Sequence, residues 1–286
     1  MNLSIIIVSW NVRDKLKENL KALYQSKGDF TFEIFVIDNN SQDASAEMVA
    51  QEFPAVKLII NNENVGLSRA IHQAKDKISG DFILLLNPDN QVLPDTLINM
   101  LQWMKKHEQA WVAGCRLIDE QGKTVNHVRR FPTLSDQLAI VLKLPHLFPK
   151  MLKKYLYEDF DYTQAAIVDS IRGAFFLIRK EATAKIGLWD TRYFIWFEEV
   201  DYCLQVKKAG GEVWYTPAAK CIDHVGQSFK QVDTLKKQRY IKESMLKYFK
   251  KWHPAWEYWI LRLAWPIGMG ITWLMAKAGI KSRAKT

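Results

Sequence analysis

Residues 193–203, YFIWFEEVDYC, put Glu198, Glu199 and Asp201 directly after five mostly aromatic residues. Carboxylates reached through such a stretch are partly withdrawn from water, which raises their pKa and suits them to take a proton. The same acids would also suit the solvated first turn of a helix, where they complement its dipole. A second stretch, LLLNPDNQ (84–91), ends a leucine run in Asn87-Pro88-Asp89-Asn90. Pro88 fixes φ and withholds a backbone donor, so the chain leaves its strand in a defined direction. Asp89 can then hold a hard divalent cation that in turn holds a diphosphate, or it can cap the turn. Ser9, Asn11, Asp38 and Asn39 follow the first two apolar runs. An ionised Asp38 can accept the N3–H of a pyrimidine base; Asx-turn chemistry is the alternative. In CIDHVGQSF, Gly226 and Ser228 could shape a tight turn after His224. Beside a metal and a diphosphate, His224 would be a ligand or phosphate donor; elsewhere it is a satisfied polar residue.

These residues need elements to position them. LSIIIVSW, FEIFVIDN, VKLIIN and DFILLLNPD read as buried strands. Between and after them, Lys15–Tyr24, SQDASAEMVAQEF, Gly66–Ile78 and Pro94–His107 read as helices. Strand–helix alternation predicts an α/β fold with a mostly parallel sheet covered on both faces. Ligands sit beyond the carboxyl ends of such strands, and four polar ends there suggest a lined crevice. VDSIRGAFFLIRKEA reads as a further strand, with Gly173-Ala174 where a side chain would obstruct something. Glu199–Lys208 reads as a helix ended by Gly210-Gly211, and EVWYT as a strand followed by a loop to His224. Residues 131–165 break the rhythm with three prolines, large apolar residues and Lys150, Lys153 and Lys154. They suit either a helical insertion packed on the core or a flap facing acceptor or membrane. No GxGxxG or GxxxxGK[ST] occurs, so dinucleotide and P-loop readings lack their fingerprints.

The 286 residues are 48% hydrophobic and 25% charged, ordinary for a folded protein. The N-terminus reads as a strand rather than a signal peptide. Cys115, Cys203 and Cys221 form no CxxC pair, which fits a reducing, cytoplasmic setting. The net charge of +9 is concentrated: residues 230–286 hold 13 Lys/Arg against 3 Asp/Glu. A near-neutral body with a basic tail suggests an anionic surface. Five of the 11 tryptophans, Trp252, Trp256, Trp259, Trp265 and Trp273, lie in that tail. Its uncharged stretch, Leu263–Ala276, has 14 residues, short of the ~20 that a span needs. An interfacial helix with Trp anchors fits better, the alternative being a helix packed on the body. The tryptophans adjoin an apolar run rather than a polar groove, so nucleic acid is not an expected partner.

Taken in order, SIIIVSWN, VIDNNSQDAS, NVGLSRA, GDFILLLNPD, RGAFFLIRKEA, GLWDTRYFIWFEEVDYCLQVKKAG and HVGQS resemble the inverting glycosyltransferases of family 2. The stretches especially resemble the bacterial rhamnosyltransferase-like branch, and the resemblance covers about residues 3–250. The resemblance implies a GT-A fold over residues 1–245; residues 246–286 are, on their own composition, expected to form a basic, membrane-associating helical tail. It implies that Asp38 reads the base of a dTDP- or UDP-sugar, with Ser9, Asn11, Asn39, Asn64, Gly66 and Arg69 in the nucleotide site. Asp89 matches the last carboxylate of the metal-binding DxD-type motif, with Asn87 where Asp is common, and His224 lies near Mg²⁺ or Mn²⁺ and the diphosphate. Ser228 and Arg239 would assist at the diphosphate. Gly173, Ala174, Asn87 and Trp196 would adjoin donor sugar and acceptor. Glu198-Glu199 matches the family's Glu-Asp pair, making Glu199 the base with Asp201 the runner-up. His72 stands where Asn is common. The implied activity is sugar transfer, rhamnose from dTDP-rhamnose being the first candidate, to a lipid-linked glycan at the cytoplasmic face of the inner membrane in surface-polysaccharide synthesis. A non-catalytic sugar-binding module of the same fold is the alternative.

Overall fold

The computed structural model describes residues 1–224 and 232–277. Its strands are β1 (Leu3–Ser9), β2 (Phe32–Asp38), β3 (Lys57–Ile60), β4 (Phe82–Leu86), β5 (Asn90–Val92), β6 (Ala110–Ile118), β7 (Val128–Arg129), β8 (Ala166–Ile167), β9 (Ser170–Ile171), β10 (Phe175–Arg179) and β11 (Glu212–Asp223). Its helices are α1 (Arg13–Tyr24), α2 (Ser45–Glu52), α3 (Leu67–His72), α4 (Thr96–Lys106), α5 (Leu134–Val141), α6 (Lys180–Ile186), α7 (Glu198–Lys208), α8 (Thr234–Trp252) and α9 (Ala255–Lys277).

The main sheet runs β3-β2-β1-β4-β10-β6-β11-β5, with β8 on β11. Its first four strands are parallel, because helices α1 to α3 return the chain to the same edge each time. β10 enters antiparallel between β4 and β6, and β11 runs parallel to β6. Alternation along each strand divides the core. Ile5, Ile7, Val36 and Leu84 face α1, α2 and α4, while Ile6, Phe35, Ile37, Ile83 and Leu85 face α3, α6 and α7.

Three expectations need correction. The helix read over Gly66–Ile78 stops at His72, where Gln73 and Ala74 donate to Ala70 and Ile71 and tighten the last turn; a 3₁₀ turn follows at Lys75–Lys77. The single strand read through VDSIRGAFFLIRKEA is two. β9 pairs with β7 in a separate two-stranded sheet, and β10 joins the main sheet after the turn at Gly173-Ala174. β11 does not end at EVWYT. It passes Pro217 through an irregularity between Thr216 and Lys220 and continues to Asp223, so His224 directly follows a strand.

The boundary expected at 245/246 falls inside α8, and Met245 and Leu246 are buried together. They join Tyr248, Phe249, Leu261, Ala264 and Trp265 in a third cluster with Val141 and Tyr193. α9 also lies close on α5, since a Cβ at Gly268 would collide with the Val141 carbonyl oxygen. One face of the tail thus packs on the body. The other leaves Trp256, Trp259, Leu263, Ile267, Trp273 and Leu274 exposed, Leu263 at 70%. No described helix is long and apolar enough to cross a membrane.

Candidate active site

Ser9 and Asp38 stand side by side at the ends of β1 and β2. Asp38 Oδ2 accepts from the Ser41 amide at 2.8 Å, whereas Asp38 Oδ1 and Ser9 Oγ are buried without partners. Unmet buried polar atoms at strand ends suit a ligand that supplies donors. Asn11 and Asn39 hold the backbone. Asn11, at φ 53°, accepts from the Gln42 amide at 2.7 Å. The Asn39 side chain donates to Gly66 O at 3.4 Å and accepts from Asn61 at 2.9 Å, so both amide atoms are engaged within the protein. Asn64 accepts from the Gly66 amide, and Gly66 (φ 85°) packs where a Cβ would lie 2.7 Å from Phe194. Leu67 donates to Phe194 O, Arg69 to Thr191 O at 3.4 Å, and His72 Nε2 to Trp189 O at 2.7 Å. These bonds give His72 a role that the sequence reading left open: it docks α3 onto the loop leading to Glu198.

Asn87-Pro88-Asp89-Asn90 is tied directly to the Gly173-Ala174 turn. The Asn87 amide and the Asn90 side chain both donate to Ala174 O at 3.0 Å. Asp89 is buried, and its carbonyl accepts from the His224 amide at 3.4 Å as β5 pairs with the end of β11. His224 Nδ1 meets Glu120 at 2.6 Å, which orients the ring. The buried Asp223 beside it forms an ion pair with Arg172 at 2.9 Å. One carboxylate and one imidazole suit a divalent cation whose remaining ligands come from phosphate and water. Among the described residues no group of three ligating side chains exists.

The approach to the acidic pair is strained: Trp196 (φ 64°) and Phe197 (φ 67°) are both left-handed. Such residues cost about 1–3 kcal/mol each and are held only where the surroundings over-determine them. They deliver Glu198 and Glu199 as the first residues of α7, each with a buried, partnerless Oε2. Burial raises both carboxyls. Glu198 is raised further by the charge of Glu199, while Glu199 is held back by backbone hydrogen bonds and by Arg172 and Arg129. The pair therefore favours a proton on Glu198 and a charge on Glu199. A Cβ on Gly173 would lie 3.7 Å from Glu199 Cβ and 2.7 Å from the Trp189 ring. The turn that runs beside Glu199 is thus the one that holds the Asp89 strand end. A hollow lined in part by Leu86, Asn87, Gly173 and Trp189 lies beside it.

Asp201 has the opposite surroundings. Tyr193, Gln205, Lys251 and Trp252 all donate to it, the last two at 2.7 and 2.6 Å, so its carboxylate is saturated within the protein and ties α8 to α7. Arg239 is exposed on α8 and paired with Glu243 at 2.8 Å on its own helix. Ser228 lies outside the described residues. Sequence reasoning missed Arg172, Asp223 and Arg129. The first two adjoin Gly173 and His224 and could have been suspected. Arg129 comes near only through the β7–β9 pairing.

Residues 4–187 match the model for glycosyl transferase family 2. The chain is 28% identical over 231 residues to the rhamnosyltransferase WbbL of Escherichia coli K12, covering 77% of this chain and 82% of that one. It is 24% identical over 208 residues to the N-acetylglucosaminyl-diphospho-decaprenol L-rhamnosyltransferase of Mycobacterium tuberculosis, covering 68% and 67%. Among solved structures, a mannosyltransferase from Pyrobaculum calidifontis in complex with GDP-Man and Mn²⁺ superposes with a TM-score of 0.59 at 17% identity, covering 97% of this chain and 75% of that one. GalNAc-T7 with UDP, GalNAc and Mn²⁺ also gives 0.59, at 16% identity, covering 86% and 48%. The fold is GT-A, and the chain belongs to glycosyl transferase family 2.

Proposed function

We propose that this glycosyltransferase inverts the anomeric centre of a sugar carried by dTDP or UDP and transfers it to a lipid-linked glycan at the cytoplasmic face of the inner membrane. Rhamnose from dTDP-rhamnose is the first candidate, supported by the rhamnosyltransferases among its relatives. The observation that carries the reading is the Gly173-Ala174 turn, which bonds the Asp89 strand end on one side and runs beside Glu199 on the other, with room there for no more than a small residue. An ionised Glu199 beside a protonated Glu198 can take the acceptor hydroxyl's proton as its oxygen attacks the anomeric carbon. Asp38 and Ser9 offer unmet acceptors to the base and ribose. Asp89 and His224 would hold Mg²⁺ or Mn²⁺, which supplies positive charge to the departing diphosphate. Arg172 fixes Asp223 beside that site and adds positive charge near Glu199.

The membrane reading rests on the outer face of α9, where Trp259, Leu263, Ile267 and Trp273 are exposed. Lys277 and Arg262 lie over Trp273 and Trp259, at 3.8 and 5.6 Å, as cations do beside interfacial aromatics. Leu263→Glu with Ile267→Glu should abolish sedimentation with phosphatidylglycerol vesicles and leave the melting temperature unchanged. Undiminished sedimentation would remove α9 from this role. Activity is tested by a panel of nucleotide sugars with Mg²⁺ or Mn²⁺ and bacterial membrane lipid extract. Metal-dependent release of nucleoside diphosphate, fastest with dTDP-rhamnose, supports the reading; release with no donor sinks it.

A further inference from the structure

The insertion between β6 and β8 ends its helix in a turn that sugar transfer does not use. α5 packs Leu134, Leu138, Val141 and Leu142 into the third cluster. Lys143 then turns left-handed (φ 58°), a conformation that a non-glycine residue holds only where its surroundings enforce it. Pro145 lies in the 3₁₀ turn Leu144–His146 that follows. The Leu147 and Phe148 amides both donate to Leu144 O, at 2.9 and 2.8 Å, and the Met151 amide donates to Phe148 O at 3.0 Å. Leu152 is buried and ties the segment down. A pinned backbone thus presents Leu147, Phe148 and Met151 to solvent, Leu147 at 74% exposure. Apolar side chains clustered in this way mark an interaction surface. The turn flanks the same contact as the outer face of α9. Gly268 of α9 lies against the Val141 carbonyl, and its neighbour Ile267 is exposed. Lys143 comes two residues after Val141, and Leu147 follows by one further turn. The cations here fit an anionic partner. Lys143 is partly buried, and burial lowers its pKa. Among the described residues Lys143, Lys150 and Lys154 enter no ion pair, and Lys153 meets only the exposed Asp159, at 3.5 Å. A second copy of the chain is a poor partner, because a two-fold contact would set these lysines against one another.

We propose that the turn at 144–151 is a second membrane-docking element, which inserts Leu147, Phe148 and Met151 into an anionic bilayer surface beside α9 while Lys143, Lys150 and Lys154 meet lipid phosphates. The inference rests on the membrane reading of α9 above. A single helix lying in the interface leaves the body free to roll about the helix axis. A second contact beside it fixes that roll, and with it the direction in which the catalytic cleft faces. The two uses that the sequence leaves open for the insertion divide along it: α5 is the packed segment, and the turn faces the membrane.

The test uses the full chain with vesicles of phosphatidylglycerol or of phosphatidylcholine. Leu147→Glu with Phe148→Glu should weaken binding to phosphatidylglycerol vesicles at least about tenfold and leave the melting temperature unchanged. Lys143→Gln with Lys150→Gln and Lys154→Gln should cut the preference for phosphatidylglycerol over phosphatidylcholine by about fivefold per lysine. Cys115, Cys203 and Cys221 are buried, so a polarity-sensitive dye on a Leu147→Cys variant reports the turn alone. Its emission should shift to the blue with phosphatidylglycerol vesicles, and that of a dye on Gln102→Cys in α4 should not. Unchanged vesicle affinity in the glutamate variant overturns the proposal, as does a dye on the turn that stays in water. So does a chain that self-associates in solution and loses that association in the glutamate variant, which would assign the surface to a second copy. If Leu263→Glu with Ile267→Glu abolishes binding and the turn variant does not, α9 stands and the turn fails. A wild-type chain that binds neither vesicle fails both.

Discussion

Glu199 and Asp201 sit two residues apart at the start of α7 and live in opposite surroundings. Asp201 is fully buried and receives four donors, two of them from Lys251 and Trp252 on α8. Glu199 keeps a buried oxygen without a partner, next to a second carboxyl in the same condition. Both acids are inside, so burial alone does not separate them; satisfaction does. A saturated carboxylate holds the tail helices to the catalytic unit. An unsatisfied pair, raised by burial and mutual repulsion, is arranged to exchange a proton.

The contrast is open to attack by substitution. Glu199→Gln should lower the transfer rate by about 10²–10⁴-fold with nucleotide binding unchanged, because only the proton acceptor is lost. Transfer at the wild-type rate would move the base elsewhere. Asp201→Ala should instead act on folding, costing about 3–5 kcal/mol as Lys251 and the Trp252 indole lose their acceptor. A denaturant midpoint matching wild type would contradict the anchor.

Glu33 extends the comparison to the far end of the sheet. Burial there opposes ionisation, but Lys57, Ser4 and Ser79 outweigh it and hold the carboxyl at about 2. A depressed carboxylate contributes stability above its unfolded pKa of roughly 4.3, and that contribution is lost as pH falls from there through about 2. Glu33→Gln should therefore cost about 2–3 kcal/mol at pH 7 and little at pH 2. A cost independent of pH would mean that packing, not charge, holds this position. The smallest effect has the reverse sign. Glu198 is raised, so its contribution is complete below its unfolded pKa and lost as pH rises toward the folded value. Glu198→Gln should stabilise by about 1 kcal/mol at pH 8 and not at pH 4, readable in thermal melts at the two pH values.

The parallel half of the fold was legible because its signals are local. Ile5, Ile6 and Ile7 alternate between two cores, and Leu16, Leu20 and Leu23 repeat along one helical face. The strand ends carrying Asp38 and Asp89 followed from the same reading. The donors around Asp201 were not legible because Lys251 and Trp252 lie 50 and 51 residues away, where spacing says nothing about them. The separation of β9 from β10 was hidden because β9 pairs with Val128–Arg129, far back in the sequence, and not with the sheet that takes β10. The tail showed interfacial and packing signals together, and the two faces of α9 divide them.

Anomalous scattering from a crystal grown with Mn²⁺ and dTDP tests the shared cleft most directly. The account expects manganese in the inner coordination sphere of Asp89, beside His224, with the terminal phosphate on the side of the Gly173-Ala174 turn that Glu199 adjoins. Manganese bound away from Asp89, or a diphosphate screened from Glu199 by protein, would contradict it.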